Sequence, residues 1–296
     1  MCEIRLARKG ETDQQKEIWK LCFGDPDSYI DFYFANRYKE DETVVLLHDG
    51  EIAAMLTMIP VRTVFPDDRS LNTAMFYAIA THPKFQNRGF ATQLMDYSNN
   101  QYLRARKEEL SVLVPAHTQL FEYYRKQGYQ DGLYIREILF SREGADSLPV
   151  SKPFSCTILP ITSEDYNRRR NSQLNGRLYI SYPDENISYQ KKLSQLSGAD
   201  IYAINIDDIQ GCLAVERITS DKVLIKEILL PDDLLNTAVK QIVQQLTAKE
   251  YVLRTSPHIG QQLGGSIRPF GMIRVQSAID TLIMPEDLGY LGVAFD

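Results

Sequence analysis

The sequence predicts an α/β protein with a mixed sheet, built twice in tandem. Three observations predict it. An apolar stretch at 73–81 ends near Pro83, passes through a loop carrying Gly89 and enters a helical pattern. A second apolar stretch follows at 110–114, giving the strand–helix–strand order of a parallel pair. Alternating strands at 43–47 and 52–59 flank Asp49-Gly50, a hairpin turn pair. The order of two helices, a hairpin and a third strand then returns in the second half, where 202–215 reads as the same hairpin unit as 45–58.

The elements follow in order. Residues 3–7 alternate and suit an edge strand. Helical periodicity runs over 11–23 through Ile18, Leu21 and Cys22, with Thr12 as N-cap. A second helix covers 27–38, with Tyr29, Ile30, Tyr33, Phe34 and Arg37 on adjoining faces. The hairpin, the third strand at 73–81, the loop and its helix come next. The segment 142–149 is polar and carries Gly144 and Pro149, which sets the domain boundary and gives domains of 1–145 and 152–296. Beyond it the pattern predicts a strand at 154–159 and helices at 163–171 and 184–196. A hairpin of 201–205 and 211–218, a third strand at 222–230, a helix at 233–247 and a strand at 251–254 complete the repeat.

Composition narrows the function classes. A chain of 296 residues suits two domains, and 44% hydrophobic content supports cores of ordinary size. No apolar run approaches a membrane span, and the N-terminus lacks the pattern of a signal peptide. Cys2, Cys22, Cys156 and Cys212 stand far apart without metal or redox spacing, so they read as reduced thiols of a cytoplasmic protein. The four histidines are scattered as well, which argues against a metal site. A net charge of −6 argues against a general nucleic-acid binder. It either attracts a cationic substrate weakly or serves solubility.

The chemistry concentrates at Gln86-Asn87-Arg88-Gly89-Phe90-Ala91-Thr92. A strand leading through a short loop into a helix aims several backbone N–H groups at one spot, with the helix dipole behind them. Gly89 lets the backbone approach an anion closely, and the small Ala91 avoids crowding it. The bland reading is an ordinary strand-to-helix turn. The stretch resembles the pyrophosphate loop of the GNAT acetyltransferases, Gln/Arg-x-x-Gly-x-Gly/Ala, here Gln86-x-x-Gly89-x-Ala91. Further on, Tyr124-x-x-x-Gly128-Tyr129 resembles the segment that closes the acetyl-CoA site of that family. The tandem of one intact and one altered unit is similar to the Eis-type (enhanced intracellular survival) acetyltransferases. Members of that type carry a third, sterol-carrier-like domain, for which this chain is expected to end too early.

The resemblance implies a GNAT fold in both halves and acetyl-CoA as cosubstrate, without a metal. It implies that 79–81 splays from the strand at 111–114, so that Ile79, Ala80 and Thr81 pair with the pantetheine arm. Backbone N–H groups of Asn87, Arg88, Gly89, Phe90, Ala91 and Thr92 would meet the pyrophosphate, with Gln86 and Arg88 flanking it. It implies that Tyr124 protonates the departing thiolate. A phenol keeps its proton at neutral pH, which suits that task. The alternative for Tyr124 is an aromatic core residue, as Tyr123 is expected to be. His117 stands where many members carry an Asn touching the cofactor arm. It would hydrogen-bond there, act as a base, or sit in water as a loop residue. The Eis resemblance implies that the C-terminal carboxylate, here Asp296, takes the proton of the amine. An ordered water is the alternative, and the apolar ending 290–296 is otherwise a last strand or a frayed end.

The second half differs where the loop would be. After Pro231 the chain passes through Asp232-Asp233-Leu234 straight into helix, without glycine. These carboxylates are expected to satisfy the helix N-terminus and repel an anion, leaving the half as a substrate wall or assembly surface. The function expected is therefore acetyl transfer to a primary amine of a small molecule or peptide. The alternative is a non-catalytic acetyl-CoA-binding sensor or assembly protein. A longer acyl group or a tRNA-linked acceptor is a more distant reading, for which the sequence has no basic stripe. Neither nucleic acid nor membrane is an expected partner, and self-association into a homo-oligomer is.

Overall fold

The computed structural model describes residues 2–150, 155–276 and 288–295. They divide into two compact units. The first comprises 2–63, 71–131 and 272–276, and the second 64–70, 132–150, 155–271 and 288–295.

In the first unit, β1 (Cys2–Leu6) precedes helices α1 (Thr12–Phe23) and α2 (Asp27–Asn36). Thr12 is the first helical residue rather than the cap. Glu11 holds the cap position, and its carboxylate is drawn back onto the Arg8 N–H and the Arg5 guanidinium. Gly24 ends α1 at a φ of 74°, the left-handed conformation that costs glycine least. Strands β2 (Thr43–His48), β3 (Glu51–Val64) and β4 (Ser70–Thr81) lead to α3 (Phe90–Tyr97), β5 (Leu110–Leu113) and α4 (Gln119–Lys126). Leu46, Leu56, Phe76, Leu94, Met95 and Leu113 fill the core beneath α3 and α4.

The second unit contains β6 (Gln130–Ser141) from Gly132 onward, α5 (Arg142–Asp146), β7 (Cys156–Pro160), α6 (Ser163–Leu174), β8 (Tyr179–Ser181) and α7 (Asp184–Leu196). The hairpin β9 (Ile201–Ile206) and β10 (Ile209–Thr219) follows, then β11 (Lys222–Leu229), α8 (Leu235–Gln245), β12 (Glu250–Thr255) and β13 (Ser266–Val275). Ile204, Val215, Ile225, Val239, Ile242 and Leu253 pack between the sheet and α8.

The repeat is complete at the level of topology. The strand order is β1-β2-β3-β4-β5-β13 in the first unit and β7-β9-β10-β11-β12-β6 in the second. In each, one central pair is parallel and its outer neighbour antiparallel. That outer strand comes from the other half of the sequence. β6 follows α4 yet pairs with β12, while Met272–Val275 return to pair with β5. The compact units therefore do not coincide with the halves 1–145 and 152–296, because 132–145 complete the second sheet and 272–276 the first. An uncovered β5 or β12 would expose a row of unpaired backbone groups, and either returning strand satisfies it.

Residues 290–295 are held inside the second unit. Arg170 and Glu227 have side chains of 0% exposure and pair at 2.9 Å. Tyr166 donates to the same carboxylate at 2.6 Å. The remaining guanidinium nitrogens donate to the carbonyls of Ile180 and Leu291, each at 2.8 Å. Tyr182 donates to the Val293 carbonyl, and Phe295 is buried against Tyr182 and Tyr189. Gly292 has a φ of 74°, and a Cβ there would lie 2.0 Å from Glu227 Oε2, so no larger residue fits this turn. Among the described residues no helix is long and apolar enough to cross a membrane, and the four cysteines are free.

Candidate functional site

The parallel ladder of β4 and β5 is short. It pairs Thr73 through Phe76 with Leu110 through Leu113, and β4 then runs on to Thr81 beyond the last partner. Ala78 sits at a φ of 51°, a left-handed conformation uncommon for a residue with a Cβ and a break in the strand's regular course. β5 ends with its last partner, Leu113, so β4 runs on without it at the strand ends where ligands of α/β sheets bind. Along this stretch of β4 Ile79 is half-buried and Ala80 buried. Thr81 Oγ1 is buried without a hydrogen-bond partner among the described residues, an orphan that a ligand would satisfy. The Thr81 carbonyl is already taken, by Cys22 Sγ and Gln86 Nε2, each at 3.2 Å.

The loop is fastened from below. His82 caps the turn Pro83–Phe85, its Nδ1 accepting from the Lys84 N–H at 3.1 Å. Gln86 turns back to Thr81, so its side chain shapes the loop from within. Asn87 and Gly89 take left-handed φ values of 62° and 75° on either side of Arg88. Alternation of this kind turns successive N–H groups toward a common centre, an anion-binding concavity. The first helical hydrogen bond of α3 runs from the Gln93 N–H to the Gly89 carbonyl at 3.0 Å, which leaves the N–H groups of Phe90, Ala91 and Thr92 at the free end of the helix. Open space lies beside Gly89 where a Cβ would point. The Phe90 ring is buried beside Phe85 and His48, anchoring that end in the core. Arg88 lies over the Phe85 ring and is exposed.

Tyr124 is buried in the same core cluster as Phe76, Phe90 and Leu113, with Ile79 packed at its margin. Burial pushes its phenol well above the ordinary range, with Tyr123 and Tyr129 adding smaller contributions, so it is protonated at neutral pH. The spacing Tyr-x-x-x-Gly-Tyr also has a structural reason. The Tyr129 N–H bonds the Tyr124 carbonyl at 3.1 Å and the Gly128 N–H bonds that of Arg125 at 3.0 Å. With Gly128 at a φ of 83° and the two rings 6.1 Å apart, this is a Schellman helix end with its hydrophobic contact. Behind it Tyr129 meets Ser111 Oγ at 2.9 Å, and Ser111 donates to Asn99 at 2.8 Å. Tyr123 reaches Thr92, linking α4 to the first turn of α3.

His117 is exposed in the loop between β5 and α4, with its carbonyl accepting from the Leu120 N–H. Asp296 lies outside the described residues. The site thus assembles 79–81, 86–92 and Tyr124 in one unit. Sequence reading missed Ala78, Cys22 and the contact of Tyr123 with Thr92, the last a residue it places at the site. Only the backbone course and the tertiary contacts single these out. Among the described residues no group of three metal-ligating side chains occurs.

A parallel pair leading into a helix N-terminus with free N–H groups, with a buried phenol in the same core, defines an α/β fold with a candidate anion-binding loop. A family model described as an acetyltransferase (GNAT) domain matches residues 3–131. Residues 3–131 thus carry an acetyltransferase (GNAT) domain. No curated protein matches the sequence. Among solved structures, a GCN5-related N-acetyltransferase from Anabaena variabilis is similar over 94% of this chain and 73% of its own, at 16% identity and a TM-score of 0.76. Eis1 from Mycobacterium abscessus is similar over 94% and 74%, at 12% identity and a TM-score of 0.68. A tandem GNAT protein from the clavulanic acid biosynthesis pathway is similar over 94% and 99%, at 13% identity and a TM-score of 0.55. At these identities the likeness is one of fold, and it extends across both units.

The second unit departs from the first at its loop. A short turn, Asp232–Leu234, leads into α8, and no side chain caps that helix. The Asp232 carboxylate does not satisfy the helix N-terminus as expected. It accepts from the Gly260 N–H at 2.6 Å, because the loop after β12 supplies a closer donor.

Proposed function

We propose that this chain is an acetyl-CoA-dependent N-acetyltransferase that acylates a primary amine of a small molecule or peptide. The observation that supports this reading is the end of the β4–β5 ladder at Phe76 and Leu113, followed along the chain by the orphaned Thr81 hydroxyl and the free N–H groups of α3. The residues present fit the cosubstrate. Asn87 through Thr92 would hold its pyrophosphate on backbone N–H groups, and 79–81 would flank the pantetheine arm. When bound, acetyl-CoA supplies an acetyl group as a thioester. His117 is exposed at the mouth of the β5–α4 loop and remains a candidate contact for the arm.

The amine nitrogen attacks the acetyl carbonyl, the C–S bond breaks, and the thiolate gains a proton. Tyr124 is the donor in this reading. Its raised pKa alone would make it a weak acid, but the same apolar surroundings destabilise a thiolate and make that group more basic too. The proton lost by the amine passes to a base, for which the Asp296 carboxylate or an ordered water is the candidate. The free thiols and the need for acetyl-CoA favour a cytoplasmic setting. The test is release of coenzyme A from acetyl-CoA across a panel of primary amines, including polyamines, aminosugars and peptides with free N-termini. Release that depends on one class supports the reading. Acetyl-CoA binding with no release for any amine contradicts it and favours a sensor.

A further inference from the structure

The second unit keeps the short parallel ladder of the first unit, while lacking its loop. The parallel ladder of β11 and β12 pairs Lys222 through Ile225 with Glu250 through Leu253 and then stops, although β11 continues to Leu229 and β12 to Thr255. The ladder of β4 and β5 likewise has four pairs and ends before β4 does. Thr255 links the two strand ends, its hydroxyl donating to the Ile228 carbonyl at 2.9 Å. Beyond this bond lies a cavity of about 240 Å³, bounded by the ends of both strands and by the end of α6.

Its size and its charges select a ligand. The volume falls below the roughly 300–1,000 Å³ of pockets for drug-sized molecules, and is far too small for a coenzyme A. The walls are mixed: aliphatic at Leu174, Leu229, Leu230 and Ile259, polar where Ser256 and His258 line them, and bearing two opposite charges, Arg177 and Asp232. These two do not pair with each other, and Arg177 has no ionic or hydrogen-bonding partner for its side chain among the described residues. The Asp232 carboxylate accepts one hydrogen bond, from Gly260, and has further acceptor capacity. A cation and an anion set apart on one small wall are complemented by a ligand bearing both opposite charges.

We propose that the second unit binds a free α-amino acid with an aliphatic side chain. The amino-acid carboxylate meets the Arg177 guanidinium, its ammonium meets Asp232, and its side chain lies on the leucines and Ile259. The site stands apart from the acetyl-transfer reading, since it needs neither the loop of the first unit nor a cosubstrate.

The experiment is calorimetric titration of L-leucine into the full chain without acetyl-CoA. The analogues 4-methylpentanoate, which lacks the ammonium, and 3-methylbutylamine, which lacks the carboxylate, are titrated alongside. One site per chain is expected for leucine, with each analogue at least about tenfold weaker, the cost of leaving one charge unmatched. Arg177→Gln is expected to weaken leucine at least about tenfold, and Asp232→Asn to do the same while retaining an acceptor for Gly260. Both variants should keep the melting temperature of the parent. No binding of leucine, isoleucine or valine would overturn the proposal. So would equal binding of 4-methylpentanoate, or undiminished leucine binding in both variants.

Discussion

The Tyr123 hydroxyl lies 3.2 Å from Thr92 Oγ1, joining the helix that carries Tyr124 to the first turn of the helix behind the anion loop. The contact couples the two ends of the proposed reaction. Thr92 belongs to the turn whose N–H groups would hold the cosubstrate, and Tyr123 precedes the proposed acid. Sequence reading treats Tyr123 as core only, yet its ring packs while its hydroxyl holds the site in register.

Tyr124→Phe removes the proton donor and keeps the ring in its cluster. Turnover is expected to fall roughly 10²-fold or more, with acetyl-CoA affinity nearly unchanged. Steady-state kinetics paired with equilibrium binding checks this. Equal turnover would remove Tyr124 from the chemistry and leave it the Schellman role alone.

Gly89→Glu places a side chain at a φ of 75° and a negative charge beside the free N–H groups of α3. Both effects act against an anion at that spot. Acetyl-CoA binding is expected to weaken at least tenfold, while the melting temperature changes little. Unchanged affinity would mean that the loop holds no phosphate.

The tail calls for two separate truncations. Phe295 is buried against Tyr182 and Tyr189, so deleting 295–296 together removes core packing, at a cost of about 3–5 kcal/mol. Loss of activity in that variant would therefore not identify a base. Deleting Asp296 alone separates the roles, and a fully active variant would exclude the terminal residue from proton transfer. Arg170→Met leaves Glu227 buried without its cation and frees the Leu291 carbonyl. Chemical denaturation is expected to show a loss of about 3–5 kcal/mol, and wild-type stability would show that the pair does not secure the tail.

Alkaline pH should destabilise the first unit. Burial raises Tyr33 and Tyr129 to about 12 each. Between about pH 10 and 12 the unfolded chain loses these protons while the folded protein keeps them. Stability is therefore complete below pH 10 and falls through this window, by roughly 1.4 kcal/mol per pH unit for each tyrosine. Denaturation midpoints at pH 9 and 11 test the trend, and equal midpoints would contradict it.

The parts of the fold legible in the sequence are those set by neighbours in the chain. The run from β4 through Gly89 into α3 announces itself by pattern, as do the Asp49-Gly50 hairpin and the returning hairpin at β9 and β10. The crossing of β6 and β13 was not legible. Each outer strand pairs with a partner far away in sequence, and both edges offer the same backbone groups. At the site, Gln86 was identified but not its turn back to Thr81. Tyr124-x-x-x-Gly128-Tyr129 was identified but not as a helix end. The sequence places Asp232 at a helix terminus, whereas a loop nearly thirty residues later supplies its donor. Side-chain partners of this kind are settled by tertiary packing, which residue spacing does not contain.

In the proposed function one unit holds acetyl-CoA and the other does not. Calorimetric titration of acetyl-CoA into the intact protein distinguishes the two units. One site per chain is the expected result, abolished or weakened by Gly89→Glu. Two sites per chain, or no binding at all, would contradict the account.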